Sequence, residues 1–251
     1  MRLIGLLSWY AERPSWLAAC IASYRVAGID HLVALDGAYA LFPGGTARSA
    51  GVEADALVEI CNAHDIGLTL VRPATTWAGN EVEKRTSLFR HADAIAVAHE
   101  DWYVVIDADE LVTRALDGWR DRLAETELDC AELLLWERED RDTEPRAQVD
   151  RVLRVEPRSR APIRKLFRAI PGIRCVGNHY TWVTPDGRQL WGSRVRVPGL
   201  DLTDELHVEH RTQYRGLLRR DASHAYYRLR DAAGIEAEPR PSRPTTREGA
   251  A

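Results

Sequence analysis

The chain has 251 residues, 45% of them hydrophobic and 29% charged, as expected of a globular protein with a sizeable core and enough for one large domain or two small ones. Its formal net charge of −4 excludes a polycation, and nearly all its positive charge is arginine, with Lys84 and Lys165 the only lysines. The cysteines Cys20, Cys61, Cys130 and Cys175 are too dispersed for a zinc site or a disulfide framework and read as reduced structural thiols in a cytoplasmic protein. The apolar run from Leu3 is cut by Glu12-Arg13-Pro14 too soon for a signal peptide, and no stretch approaches the roughly 20 apolar residues of a membrane span.

In chain order, Arg2 to Ser8 predicts a short buried strand. Ser15 reads as an N-cap; Leu17, Cys20, Ile21 and Tyr24 follow at helical spacing, and Gly28 closes the helix. His31–Leu35 is a second strand, ending in Asp36-Gly37, and a loop with Pro43-Gly44-Gly45 follows. Leu57, Ile60, Cys61 and His64 mark a second helix, stopped by Gly67, and Leu68–Val71 is a third strand. Asn80 with Glu83 makes a capping-box-like start to a third helix, with Val82, Phe89, Ala92 and Ala96 as its buried stripe. The run Asp101 to Ile106, rich in aromatic and β-branched residues, reads as a buried strand that stops on Asp107, Asp109 and Glu110.

This alternation of strands and helices predicts an α/β fold with a mostly parallel central sheet and helices on both faces. Ligands of such sheets sit at the carboxyl ends of the strands, where Asp36, Asp107 and Asp109 all fall. Alternation along a strand lets Asp107 and Asp109 point the same way, and two hard oxygen ligands suit Mg²⁺ or Mn²⁺. The competing expectation is structural: Asp109 caps a helix starting near Leu111.

Beyond Leu111 the pattern is looser. Ala131–Trp136 reads as a strand ending in Glu137-Arg138-Glu139-Asp140, and Lys165–Ile170 as another. Asp186-Gly187 suggests a hairpin turn. His207-Val208-Glu209-His210 precedes a final helix, with Tyr214, Leu217, Leu218, Ala225 and Leu229 on its apolar face. Residues 234–251, rich in Pro, Arg and Thr, read as a disordered tail. The expectation is one domain over residues 1–233, with a ligand-binding half at 1–115 and a second half at 116–233.

Four segments resemble, in order and spacing, the nucleotide-sugar glycosyltransferases of GT-A fold, especially their large bacterial and phage family of inverting enzymes. They are Leu7-Ser8-Trp9-Tyr10-Ala11-Glu12, Val33-Ala34-Leu35-Asp36-Gly37, the helix start Glu83-Lys84-Arg85, and Val104-Val105-Ile106-Asp107-Ala108-Asp109-Glu110. A weaker likeness covers Lys165-Leu166-Phe167-Arg168 through Asn178-His179, where Tyr180 replaces the usual Glu, and His207 to Arg211. Tyr10-Ala11-Glu12 also departs from the usual Tyr-Asn-Glu.

The resemblance implies a metal-dependent inverting transfer from a nucleotide-diphosphate sugar, a UDP-sugar above others, to a hydroxyl acceptor. It implies nucleotide-sugar contacts from Ser8, Tyr10, Asp36, Lys84, Arg85, Asp107 and His179, and Mn²⁺ or Mg²⁺ on Asp109 and Asp107 with His210, or else His207. Lys84 and Arg85 also break a local preference, since a helix's first turn favours acids. The catalytic base is expected after the next strand, at Asp140 or Glu137. Asp36-Gly37 has a plain alternative as a turn signal. Two other classes compete. A haloacid-dehalogenase-type phosphatase also ends a strand in Asp-x-Asp but needs its nucleophile early in the chain. A non-catalytic nucleic-acid binder would use the arginines at 151–168 and 211–230, patches that in a transferase would instead draw a polyanionic acceptor such as DNA with modified bases or a charged glycan.

Overall fold

The computed structural model describes residues 1–137, 159–177, 181–191, 197–211 and 217–233. The first half alternates as the sequence predicts. The strands are β1 (Leu3–Ser8), β2 (His31–Leu35), β3 (Gly67–Val71) and β4 (Trp102–Asp107), and the helices between them are α1 (Pro14–Val26), α2 (Gly51–Ala63) and α3 (Asn80–Asp93). Next come β5 (Glu110–Ala115), α4 (Trp119–Glu125), β6 (Cys130–Glu137) and β7 (Ser159–Arg168). The short strands β8 (Arg174–Cys175), β9 (Trp182–Val183), β10 (Gln189–Trp191) and β11 (Leu200–Asp201) follow, then β12 (Leu206–His210) and α5 (Leu217–Ala232).

One sheet runs in the order β3-β2-β1-β4-β7-β6-β12-β5, with β11 beside β6. The strands β1 to β4 are parallel, and Ser8 pairs with both Leu35 and Asp107, so three strand ends lie level. The strand β7 runs antiparallel between β4 and β6, and β12 lies parallel to β6 and antiparallel to β5. This is the α/β, mostly parallel, GT-A-like architecture expected, with strands β8–β10 forming a small second sheet.

Buried parallel strands read as apolar runs because both faces are covered. On one face Leu7, Trp102 and Ile106 pack on Leu17, Ile21 and Tyr24 of α1, Leu57 of α2 and Leu123 of α4. On the other, Ile4, Leu6 and Tyr103 pack on Leu88 and Phe89 of α3 and on Trp182 of the small sheet. Each such fully buried side chain contributes about 1.5–3 kcal/mol. Within β1, a Cβ on Gly5 would lie 2.8 Å from Ile106 Cδ1 and closer still to Ile29 Cδ1, so only glycine lets the core close there.

Four local expectations are corrected. Ser15 is not the N-cap of α1: Arg13 holds that position, because Pro14, lacking an N–H, fits the first turn. Gly67 does not stop α2; the helix ends at Ala63, Asp65 takes φ +53°, and Gly67 opens β3. No helix starts near Leu111: Glu110–Ala115 is an edge strand paired with β12, which removes the capping role offered for Asp109. On α5, Leu229 is exposed, and among the described side chains of the helix Tyr226 is the buried one, resting on the ring of Tyr39; the side chains of Leu217 and Leu218 lie outside the described ones. The start of α3 is half a capping box, in which Gly79 N donates to Glu83 Oε2 at 2.6 Å while Asn80 Oδ1 accepts from Leu41 N. The hairpin at Asp186-Gly187 is present, with Gly187 at φ +86°. The region 234–251 and Tyr214 lie outside the described residues.

Candidate active site

A cavity of about 280 Å³ opens at the carboxyl ends of β1, β2 and β4. Its floor carries Asp107, Ala108 and Asp109, and the start of α3 supplies Glu81, Lys84 and Arg85. Ser8 at the end of β1, Tyr10 and Glu12 after it, His210 at the end of β12, Tyr39 and Phe42 of the loop after β2, and Ser223, His224, Tyr226 and Tyr227 of α5 also line it. Seven residues singled out from sequence thus meet in one place. Asp107 and Asp109 converge by a turn rather than by strand alternation, for β4 ends at Asp107.

Asp107 is held on both oxygens. Arg85 Nη2 donates to Oδ1 at 2.7 Å and Lys165 Nζ to Oδ2 at 2.9 Å. Burial works to raise its pKa, but the two cations outweigh burial and hold it well below the usual carboxylate range. Arg85 is tied also to Glu81, one helical turn before it, at 3.1 Å. Both cations are raised by these carboxylates despite burial, while burial pushes Glu110 up even with Lys165 against it.

Asp109 faces His210, with Oδ2 and Nε2 3.2 Å apart. Burial alone would lower the imidazole pKa; the Asp109 hydrogen bond and charge, with Glu110 and Asp107 behind them, raise it to about 9. Among the described residues no three His, Cys, Asp or Glu side chains form a ready-made metal cage. The Asp109–His210 pair offers one oxygen and one nitrogen donor.

Lys84 is 1% exposed, and its ammonium donates to the carbonyls of Trp9 at 2.6 Å and Gly37 at 2.8 Å, joining the ends of β1 and β2. Its charge also lies 5.6 Å from the centroid of Tyr39. Rings form the outer wall: Tyr39 and Tyr226 are 5.0 Å apart, Phe42 and Tyr226 6.2 Å, and Tyr10 and Phe42 5.8 Å.

Other candidates lie elsewhere. Asp36 is fully buried off the cavity, accepting from Gly37 N, Ser49 N and Oγ, and Arg72 Nε. It folds the loop back; Gly37, at φ +98°, could not carry a Cβ, which would run into the Ala47 carbonyl. This is the plain turn role raised for Asp-Gly, and it leaves no open carboxylate edge toward a nucleobase. His207 is turned from the cavity: three residues from His210 on an extended strand, it faces the Thr203 carbonyl at 3.0 Å and packs on Trp136. Backbone pairing sets Glu137 beside His210, while Asp140 and His179 lie outside the described residues.

The residues without an assigned role in the sequence reading are Lys165, Glu110, Glu81 and the α5 aromatics. Lysine scarcity was the one available signal, since both lysines of the chain lie at this site.

No protein-family model matches the chain, and no curated protein matches it. Among solved structures it is similar to 4-diphosphocytidyl-2C-methyl-D-erythritol synthase from Anaerococcus prevotii. The identity is 11% and the TM-score 0.31, over 67% of this chain and 72% of that one. Among the described residues no helix is long and apolar enough to cross a membrane.

Proposed function

We propose that the protein is an inverting glycosyltransferase that takes a sugar from a nucleotide-diphosphate donor, a UDP-sugar by preference, with Mn²⁺ or Mg²⁺. The observation that carries this reading is the convergence of Asp107, Asp109 and His210 in one cavity at the carboxyl ends of parallel strands. Asp109 would hold the ion, joined by His210 Nε2 once binding has displaced the imidazole proton. Held there, such an ion would offer positive charge beside a departing diphosphate.

Charge balance supports the need for it. Lys84, Arg85, Lys165 and His210 are outnumbered by Glu12, Glu81, Asp107, Asp109 and Glu110 in and beneath the cavity. Lys84 already donates to two carbonyls and Arg85 to two carboxylates. A diphosphate entering such a site meets no surplus of positive charge unless a cation comes with it.

In the transfer, the bond between the sugar's anomeric carbon and the diphosphate oxygen breaks as the acceptor oxygen attacks from the opposite face. The electron pair leaves with the nucleoside diphosphate, and the acceptor's hydroxyl proton passes to a carboxylate. Asp140, or else Glu137 at the end of β6, is the proposed base; the backbone neighbourhood of Glu137 and His210 supports that strand end. Ser8, Tyr10 and Arg85 line the donor side and Asp107 orients the donor, while the rings of Tyr39, Phe42 and Tyr226 exclude water. Both oxygens of Asp107 carry a cation, which disfavours an aspartyl nucleophile of phosphatase type.

The test is calorimetry with UDP in Mn²⁺ and in chelator, followed by hydrolysis of a panel of nucleotide sugars. Tighter binding with Mn²⁺ that is lost in Asp109→Ala, with the fold intact, is the expected result. Equal binding with and without the ion in the wild type would sink the metal site, and no turnover of any donor would sink the transferase.

A further inference from the structure

Lys165 reaches the site from below. It lies on β7, whose residue Leu166 pairs with Val104 of β4, and its side chain is 4% exposed. It does not line the main cavity; it borders a separate void of about 10 Å³ together with Arg85 and Asp107. Its ammonium has three N–H groups and meets three oxygens: Asp107 Oδ2 at 2.9 Å, Glu110 Oε1 at 2.6 Å and Glu110 Oε2 at 2.7 Å. Glu110 in turn accepts from the Asp107 N–H at 3.2 Å and from Tyr24 OH at 3.4 Å, which ties the strand end to α1.

We infer that Lys165 is a positioning residue for the proposed transfer, bridging Glu110 and Asp107 so that Asp107 presents one fixed orientation to the donor's ribose or to the water shell of the ion, while Asp109 remains the direct ligand. This rests on the reading given under Proposed function. Two arguments carry it. First, Arg85 already neutralises Asp107 from the cavity side, so a second cation on the far oxygen adds orientation: a carboxylate gripped on both oxygens from two different elements cannot rotate about χ2 without losing one of them. Secondly, every other basic side chain of the chain, apart from histidines and Lys84, is arginine. A planar guanidinium fork could not set three donors on these three oxygens, whereas a compact ammonium can.

Removing Lys165 alone leaves two buried carboxylates facing each other, so loss of fold would mask the positioning role. The informative protein is therefore Lys165→Met combined with Glu110→Gln, in which the uncompensated charge is gone and the new amide oxygen can still accept from Asp107 N and Tyr24 OH. Expected is an unfolding midpoint close to wild type, with the KM for the donor and the calorimetric Kd for UDP with Mn²⁺ both raised about ten- to a hundred-fold and kcat lowered less. Should that protein not fold, Lys165→Arg keeps the charge and is expected to show the same split. Wild-type KM and Kd in a folded variant would overturn the proposal and reduce Lys165 to a structural ion-pair partner. No donor turnover by the wild type would overturn this inference together with the function it rests on, whereas wild-type turnover with an unchanged variant overturns this inference alone.

Discussion

His210 Nε2 lies 3.2 Å from Asp109 Oδ2, and the next residue along, Arg211, donates its backbone N–H to the Asp109 carbonyl at 2.8 Å. Side chain and backbone thus stitch the turn after β4 to a strand laid down about a hundred residues later. The reason is topological: β12 slots between β6 and β5, and β5 leaves directly from that turn. The half of the chain with the stronger resemblance supplies the aspartates; the looser half supplies the imidazole.

His210→Ala is expected to weaken UDP binding in Mn²⁺ by about ten-fold or more while leaving binding in chelator unchanged. The Asp109 side chain is 3% exposed and its charge raises the His210 pKa to about 9, so the unfolding midpoint should fall at neutral pH and the titrations are read on the folded fraction. The same calorimetric titrations on the His210→Asn variant test whether a neutral oxygen can stand in. An equal loss with and without the ion would mean that His210 touches nucleotide rather than metal.

Lys84 is expected to act on the fold. Lys84→Met leaves the carbonyls of Trp9 and Gly37 without this donor in a buried place, at a cost of about 2–4 kcal/mol in urea unfolding. A variant of wild-type stability that had lost nucleotide affinity would instead make Lys84 a phosphate ligand.

Asp36→Asn separates the two roles weighed for that residue. An amide in place of the carboxylate turns a donor toward Ser49 N or Arg72 Nε, and about 2–4 kcal/mol of stability should be lost. UDP affinity of the folded fraction should stay within about three-fold of wild type, because the carboxylate is buried off the cavity. A selective loss of uridine nucleotides over others, at unchanged stability, would restore the nucleobase role.

The legible parts of this molecule were those set by local pattern. The strands β1, β2 and β4 announce themselves as apolar runs because two helix layers cover them, and the carboxylates at their ends stand out against that background. The strand β5 was illegible: Leu111-Val112 followed by Thr113-Arg114 has no strong period, and its state is set by pairing with β12, far away in sequence. The brace under Asp107 was illegible for the same reason, since Lys165, Glu110 and Tyr24 come from three separate elements. Asp36 shows the opposite case, a strand-end carboxylate whose position suggested a ligand and whose oxygens accept from Gly37, Ser49 and Arg72.

The pairing of Arg2 with Asp101 fixes the entry to β1 against the entry to β4 and yields a pH dependence remote from the site. Asp101 accepts from Arg2 N at 2.7 Å, Arg2 Nη2 at 2.7 Å and Val97 N at 2.8 Å, with its side chain 3% exposed. Burial acts to raise its pKa, but the amide donors and the guanidinium outweigh burial and lower it from the ordinary 3.8. A carboxylate depressed on folding contributes stability at pH values above its unfolded pKa, and that contribution is lost as pH falls through the folded pKa. In Asp101→Asn the amide cannot accept from all these donors, so at pH 7 the variant should be less stable than wild type by about 2–4 kcal/mol in urea. Below about pH 4 the unfolded wild-type chain takes up a proton at Asp101 before the folded one does, and the gap should narrow as pH falls further. A gap independent of pH from 7 to 3 would mean that the carboxylate's charge is irrelevant there and that shape alone is lost in the variant.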